Sequence, residues 1–412
     1  TTAHQRFLFR LLTNHAALYT EMVTANALCH SNDPIRFLRG AERENTAEER
    51  PGRVELQLGG SDPSVMAAAT KIALSHGFRH FNLNCGCPSD KVAGGGQFGV
   101  ALMRKPKLVR ELCEAISDAS GNAVSVKCRI GIDDDDSFDF LKGFVNTVTD
   151  RGCGSGAGPV DHVILHARKA LLGKKFSPAD NRKVPPLRYD VAHRLAMDFP
   201  HLAVTLNGGM RSVDDCIAEL VRSDDLEMQK AFVQEHMNTP RSTPVTTATS
   251  PLADMYGAGA RDGEGTAALA GVMVGRATID NPFAFSNIDS RMYGEPDQNF
   301  SRGVILQKYC QYAAQVEQDQ GSRCRRSLIK PLFGLFAGEA NGKIFRANMD
   351  MLVRDGDVPV ADAIQRAAES LHTNTLDMTP SQWLHREQEA QIIQSQGKSE
   401  SESKRKETAM HN

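Results

Sequence analysis

The chain has 412 residues, enough to bury one barrel-sized domain and a smaller one beside it. Hydrophobic residues make up 41% and charged residues 24%; no run nears the ~20 apolar residues of a membrane helix, and no signal-peptide pattern opens the chain, which excludes a membrane-spanning class. A net charge of −2, from 48 Lys+Arg against 50 Asp+Glu, excludes a globally basic nucleic-acid binder and confines any RNA site to local patches.

The chain opens at Thr1, and Arg6 to Leu12 already reads as helix, so the gene product is expected to begin further upstream. Seven apolar, β-branched runs follow: Leu18–Val23, Val54–Leu58, His80–Asn84, Val124–Cys128, His162–Leu165, Ala203–Leu206 and Gly271–Val274. Helical patterns separate most of them, at Pro63–His76, Lys107–Ala119, Phe138–Thr149 and Asp190–Asp198. Strands alternating with helices predict βαβ units and a parallel sheet. Every run ends in polar or glycine-rich residues, as when all strand C-termini gather around one site, which favours a (β/α)8 barrel over an open doubly wound sheet. Seven strands instead of eight, with a helix first, predict an α/β TIM barrel lacking its first strand, over residues 1–290.

Residues 222–265, polar and rich in breakers, read as a mobile surface insertion in this barrel. Apolar periodicity in VILQKYCQYAAQV, SLIKPLFGLFAG and ADAIQRAAESL predicts a small all-helical C-terminal domain over 291–371. Residues 372–412 are expected to be a mostly disordered tail. The cysteines, 9 and scattered, indicate a reducing compartment, cytoplasmic or within an organelle. No CxxC pair occurs, so no metal site is expected, and the Asp133–Asp136 run reads as a solvated, helix-capping loop.

The phrase NLNCGCPSDKVAGGGQFGVALM, residues 82–103, carries a strand into a Cys-Pro turn and then a glycine-rich loop. With it, in order, stand QLGGSDP (57–63), VKCRIGIDD (126–134), HARKALLGKKFSPADNRKVPPLRY (166–189), NGG (207–209) and MVGRATIDNP (273–282). Together these resemble the tRNA-dihydrouridine synthases, and the segment after His166 resembles their A-type branch; the likeness covers roughly residues 6–370 outside the insertion.

The resemblance implies FMN at the C-terminal mouth of the barrel, NADPH as reductant and a D-loop uridine of tRNA (positions 20 and 20a) as substrate. Cys87 occupies the family's catalytic position. Hydride from the flavin reaches C6, C5 then needs a proton, and a thiol with an ordinary pKa of ~8.5 is protonated at neutral pH and can supply it. Gln57, Lys127 and His166 match flavin-binding positions, Lys127 placing charge near the N1/O2 edge. Phosphate recognition falls to Asn207-Gly208-Gly209 and Gly275-Arg276, after the last two strands. Gly94-Gly95-Gly96 lacks the Lys-Ser/Thr of a P-loop and reads as an active-site loop with no phosphate of its own.

For tRNA, Asn84 would hold the uracil edge, and Asn181 and Arg182 match positions near RNA, as do Lys343 and Arg346 in the helical domain. Arg168, Lys169, Lys174 and Lys175 add to a basic patch after His166. A monomer is expected. The resemblance also implies an opening strand with an Ala-Pro-Met-like motif under the flavin, which residues 1–5 do not supply; an incomplete copy of a longer product is the expectation. Two alternatives stand beside the leading reading: another FMN barrel acting on free pyrimidines, and a non-catalytic tRNA-binding barrel.

Overall fold

A computed structural model describes residues 1–40, 52–89, 92, 97–150, 158–173, 176–177, 179–220, 269–390 and 393. The chain packs into two compact units: Thr1–Phe7, Asn14–Ala277 and Ile288–Glu295 form one, and Leu8–Thr13, Thr278–Asn287 and Pro296–Asn412 the other.

The first unit is built on parallel strands β1 (Leu18–Tyr19), β2 (Val23–Thr24), β3 (Val54–Gly59), β4 (His80–Cys85), β5 (Val124–Arg129), β6 (Val160–His166), β7 (Ala203–Asn207) and β8 (Gly271–Met273). They lie side by side in the order β1-β3-β4-β5-β6-β7-β8, and β2 pairs with β3 further along the same edge as β1. The run expected over Leu18–Val23 is therefore one stave in two short pieces, which leaves seven staves, as the sequence indicates. Among the described residues β1 and β8 do not pair, so the sheet stays open where an eighth stave would close a barrel. On the β1 edge the Thr1 amino group and hydroxyl both donate to Tyr19 O, at 2.9 and 2.6 Å.

Side chains alternate across each strand. One set is apolar and sealed: Leu56, Leu58, Leu83, Val126, Cys128, Leu165, Val204 and Leu206 are all 0% exposed. The other set is polar and faces the interior: Glu55 and Gln57 on β3, Asn82 and Asn84 on β4, Ser125, Lys127 and Arg129 on β5, His162 and His166 on β6, Thr205 and Asn207 on β7. The runs are thus less uniformly apolar than doubly covered parallel strands usually are, because the barrel interior carries the polar set.

Local sequence explains where the helices start and stop. Pro63 opens the helix Pro63–Ser75, and the Asp62 carboxylate caps it by accepting from Ser64 N and Val65 N at 2.8 and 3.1 Å. Helix Pro106–Ser120 likewise begins with proline and ends at Gly121, whose φ of 73° is the left-handed stop that glycine takes easily. Helix Phe138–Thr149 is capped by the Ser137 hydroxyl. The Asp133–Asp136 run, expected to cap that helix, instead binds two basic side chains: Asp133 and Asp135 pair with Arg104 at 3.4 and 2.8 Å, and Asp136 pairs with Lys169 at 2.9 Å.

The second unit is helical, with Arg302–Gln320, Gly342–Asp355 and Val360–Ala368 as its longer helices. Arg302, 0% exposed, stacks 3.9 Å over the Phe283 ring and pairs with Glu339 at 3.0 Å, where Arg386 also binds at 2.6 Å. Trp383 meets Phe283 edge-on at 6.2 Å. Within the stretch expected to be a tail, Thr373–Asp377 and residues 380–390 are helical, the latter held by the Trp383 and Arg386 contacts; residues 391–392 and 394–412 lie outside the described residues. The 222–265 insertion and Gly94–Gly96 lie outside the described residues, as do Lys174 and Lys175. No helix among the described residues is long and apolar enough to cross a membrane.

Candidate functional site

The site is built at the C-terminal ends of the parallel strands, where the pleat sends alternate polar side chains into one mouth. Gln57 on β3 is half-buried, and its amide lies between two neighbours on β4: Nε2 donates to Asn82 Oδ1 at 2.7 Å, and Oε1 accepts from Asn84 Nδ2 at 2.7 Å. Asn84 Oδ1 accepts from Gly86 N and Cys87 N at 3.1 and 3.0 Å, so this side chain shapes the turn that carries Cys87. Cys87 is half-buried, and its carbonyl accepts from Val100 N at 3.0 Å. Gly99 is required at this approach, because at φ +64° a Cβ would stand 2.8 Å from Cys87 O and 2.6 Å from Val92 Cγ1. Cys85, two residues back, points the other way and is 0% exposed; burial, with Cys113 and Cys128 nearby, pushes its thiol up.

Across the mouth, Lys127 Nζ on β5 donates to Asn207 Oδ1 at 2.9 Å, and Asn207 Nδ2 donates to Met273 O at 2.8 Å. Because a carbonyl can only accept, Met273 O fixes the Asn207 amide with its oxygen towards Lys127. Burial, and next the charge of Arg129, lower Lys127 to about 8. His166 on β6 sits beside Gly208, where a Cβ would meet its ring at 2.7 Å, and Tyr189 Oη donates to Gly208 O at 2.7 Å. Gly208 and Gly209 take φ values of 118° and 85°, which side chains rarely adopt. His166 is driven far down, first by burial and then by Lys127, Arg129, Arg168 and Arg276, so the imidazole is neutral at physiological pH.

Four cations therefore surround one neutral imidazole, and among the described residues none of the four pairs with a carboxylate. An unneutralised cationic set beside glycines at the last strands suits a phosphate. At Gly275 a Cβ would meet nothing within 4 Å, which leaves open space beside Arg276, itself exposed. Half-buried amides, a lysine, and this cradle fit a flavin mononucleotide in the character of their donors and acceptors. No group of three or more His, Cys, Asp or Glu among the described residues is placed to hold a metal ion.

In the sequence Arg129 is only a strand-end residue within the phrase VKCRIGIDD, and the structure makes it a hub. It is 4% exposed, donating from Nε to Gly86 O at 2.9 Å and from Nη1 to Lys169 O and Asn181 O at 3.0 and 3.1 Å. It also lies close enough to Cys87 for the two to interact electrostatically. The signal available beforehand was the Lys-Cys-Arg alternation of β5, which sends both cations to the same face.

The expected RNA residues divide. Asn181 is 0% exposed, its amide spent on Leu171 N, Leu171 O and Ser177 O, so it shapes the segment from within. Lys169 is paired with Asp136 and donates to Asp133 O at 2.8 Å, and Arg168 donates to Pro185 O. Arg182 is exposed on the turn Asp180–Arg182. In the second unit Lys343 is exposed and Arg346 half-buried on the helix Gly342–Asp355.

The dihydrouridine synthase (Dus) family profile matches residues 1–224. A protein of Xanthomonas campestris pv. campestris named tRNA-dihydrouridine(20/20a) synthase is 38% identical over 346 residues, covering 84% of this chain and 83% of that protein. The chain belongs to the dihydrouridine synthase family. Proteins of the same name from Escherichia coli K12 and Pseudomonas putida are each 34% identical, over 84% and 88% of this chain and 81% and 88% of theirs. A solved structure titled as a putative dihydrodipicolinate synthase family protein from Coccidioides immitis aligns at 12% identity with a TM-score of 0.32, covering 93% of this chain and 85% of that one; the fold reading stands on the strand pairing alone. Within this family of oxidoreductases the Cys-Pro turn, the strand-end lysine and histidine, and the Asn-Gly-Gly loop converge here on one mouth.

Proposed function

We propose that this chain is a tRNA-dihydrouridine synthase that reduces C5=C6 of D-loop uridine at positions 20 and 20a. The observation that supports this most directly is the placement of Cys87 on a turn held by Asn84, at the same strand-end mouth as Lys127, His166 and Asn207. FMN bound in this mouth would supply the hydride taken up at C6, with NADPH restoring it. Gln57, Lys127 and His166 would hold the ring system, and Asn207-Gly208-Gly209 with Gly275-Arg276 the phosphate. A neutral His166 offers both a donor and an acceptor, and Lys127 offers a positive charge that burial leaves poorly solvated.

Cys87 gives its thiol proton to C5 as the C6–H bond forms, so the uracil gains two hydrogens and the sulfur is left as thiolate. Arg129 stands by to balance that negative charge until water returns the proton. Asn84, whose amide already holds the turn, keeps one N–H for the uracil edge. The target base must leave its stack to reach this depth. Arg182 on the first unit and Lys343 and Arg346 on the second would meet tRNA phosphates, making affinity salt-dependent. Arg168 and Lys169 would act on the RNA through the shape of the segment that they brace. The enzyme is proposed to work as a monomer in the cytoplasm.

The test is single-turnover reduction of unmodified tRNA by the flavin-loaded protein, with Cys87→Ala beside it. Dihydrouridine should form with wild type only, while both proteins quench FMN fluorescence with similar affinity. Full activity in Cys87→Ala would overturn the proton-donor role; reduction of free uridine without tRNA would return the chain to small-molecule chemistry.

A further inference from the structure

Five links in series run through the interior of the first unit, from the floor of the sheet to the turn that carries Cys87. Ser125 Oγ donates to Glu55 Oε2 at 2.6 Å, and Asn82 Nδ2 donates to Ser125 Oγ at 2.8 Å. Gln57 Nε2 donates to Asn82 Oδ1 and Asn84 Nδ2 to Gln57 Oε1, both at 2.7 Å. The last link is the pair of backbone donors, Gly86 N and Cys87 N, on Asn84 Oδ1. Strand register makes the chain possible, because Gln57 stands opposite Asn82 and Asn82 opposite Ser125.

All five links have the same polarity; the backbone end enforces it and the carboxylate end supports it. Backbone N–H groups can only donate, so Asn84 must turn its oxygen to them and its nitrogen to Gln57. Gln57 must then meet Asn84 with oxygen and Asn82 with nitrogen, and Asn82 must meet Ser125 with nitrogen. The Ser125 proton then has two acceptors in reach, the Glu55 carboxylate at 2.6 Å and Phe81 O at 3.3 Å, and the shorter, charge-assisted contact to Glu55 is the stronger. One flipped amide would set donor against donor inside a space where Glu55, Asn82 and Ser125 are 2%, 0% and 5% exposed, with no bulk water to repair it. Glu55 is itself held by Arg53 at 2.9 Å.

We propose that Glu55, at the opposite end of the strands from the chemistry, is a positioning residue for the mouth. Its carboxylate takes the Ser125 proton and so keeps Ser125 Oγ as the acceptor that Asn82 needs, which supports from the floor the amide orientations of Gln57 and Asn84 and, through Asn84, the seat of Cys87. The use made of Cys87 rests on the function proposed above, whereas the alignment of the chain does not. Conserving one amide orientation across three strands is what a rigid supporting shell has to do for a reacting group.

The experiment compares flavin-loaded wild type with Glu55→Gln, Ser125→Ala and Ser125→Thr. Glu55→Gln keeps the shape and lets the floor donate as well as accept; Ser125→Ala cuts the chain; Ser125→Thr keeps the hydroxyl. Three quantities are read: kcat and KM for tRNA reduction, FMN affinity, and the rate of Cys87 alkylation by iodoacetamide followed by peptide mass spectrometry. Glu55→Gln and Ser125→Ala should each lower kcat by about tenfold with KM for tRNA within about twofold, and change the Cys87 alkylation rate at least about threefold. Ser125→Thr should restore both. Unchanged alkylation and kcat, or losses that follow melting temperature and are not restored by threonine, would overturn the proposal. If wild type itself fails to reduce tRNA, the proposed function falls, while alkylation and FMN affinity still decide the role of Glu55.

Discussion

Lys127 shows what one residue costs and supplies. Its ammonium is buried beside Arg129, with an amide oxygen as its partner and no carboxylate among the described residues, and this arrangement lowers it to about 8 from 10.5. The sign follows from the direction. Below pH 8 folded and unfolded chains both carry the proton and the full burial penalty is present; between 8 and 10.5 the folded chain is neutral while the unfolded one is charged, so the penalty fades as pH rises. Lys127→Met should therefore melt higher than wild type at pH 7, with the difference closing towards pH 10.5, and should bind FMN about tenfold more weakly, the effect of one charge-assisted contact. Scanning calorimetry at several pH values and a flavin titration check both; a melting difference independent of pH would show that the gain comes from packing alone. Lys127, His166 and Cys87 could be singled out as candidates in the sequence because each ends or follows an apolar run and falls within a long family phrase. Arg129 and Glu55 were not, since an arginine or glutamate on a strand looks the same whether it faces solvent or a buried partner.

At the scale of elements, two loops are shaped by contacts that no local pattern announces. The Cys87 turn is closed by Asn84 from below and by Gly99 from the side, where a Cβ would collide with Cys87 O. Gly99→Ala must shift that turn or strain a left-handed φ, at a cost of order 1–3 kcal/mol. The expected result is dihydrouridine formation reduced about tenfold with FMN affinity retained, as measured by turnover and by fluorescence quenching; unaltered turnover would show that the turn tolerates displacement. The segment after His166 is braced from both sides, by Arg129 on its carbonyls and by Asp133 and Asp136 on Lys169. An acidic run followed by helix reads locally as a cap, yet Ser137 takes that role and leaves the aspartates to long-range partners. Asn181 was assigned to RNA by position, and the structure spends its amide inside the segment, because a turn with a buried backbone needs a side chain to satisfy it.

For the whole first unit, neutral histidines make acid the weak side. His166 is driven far below 6.5 and His4 is lowered to about 4, both first by burial. Each stays neutral when folded, so below about pH 6.5 the unfolded chain binds protons that the folded chain refuses, and stability falls as pH falls. Urea midpoints measured from pH 7.5 to 5 should decline, and His166→Gln should flatten the decline; an unchanged slope in that variant would remove His166 from the account. Alternation of apolar runs with helices by itself determined the βαβ order, the seven staves and the helical second unit, because period and punctuation are local properties of the chain. The same holds for the mouth, since a parallel sheet delivers every strand end to one side. Only the tertiary structure decided which polar groups meet, since partners such as Glu55 and Ser125, or Arg129 and Asn181, are joined by register and burial between distant segments. Hydrogen-bond polarity inside a closed space is a property of the whole arrangement, and no single segment carries it.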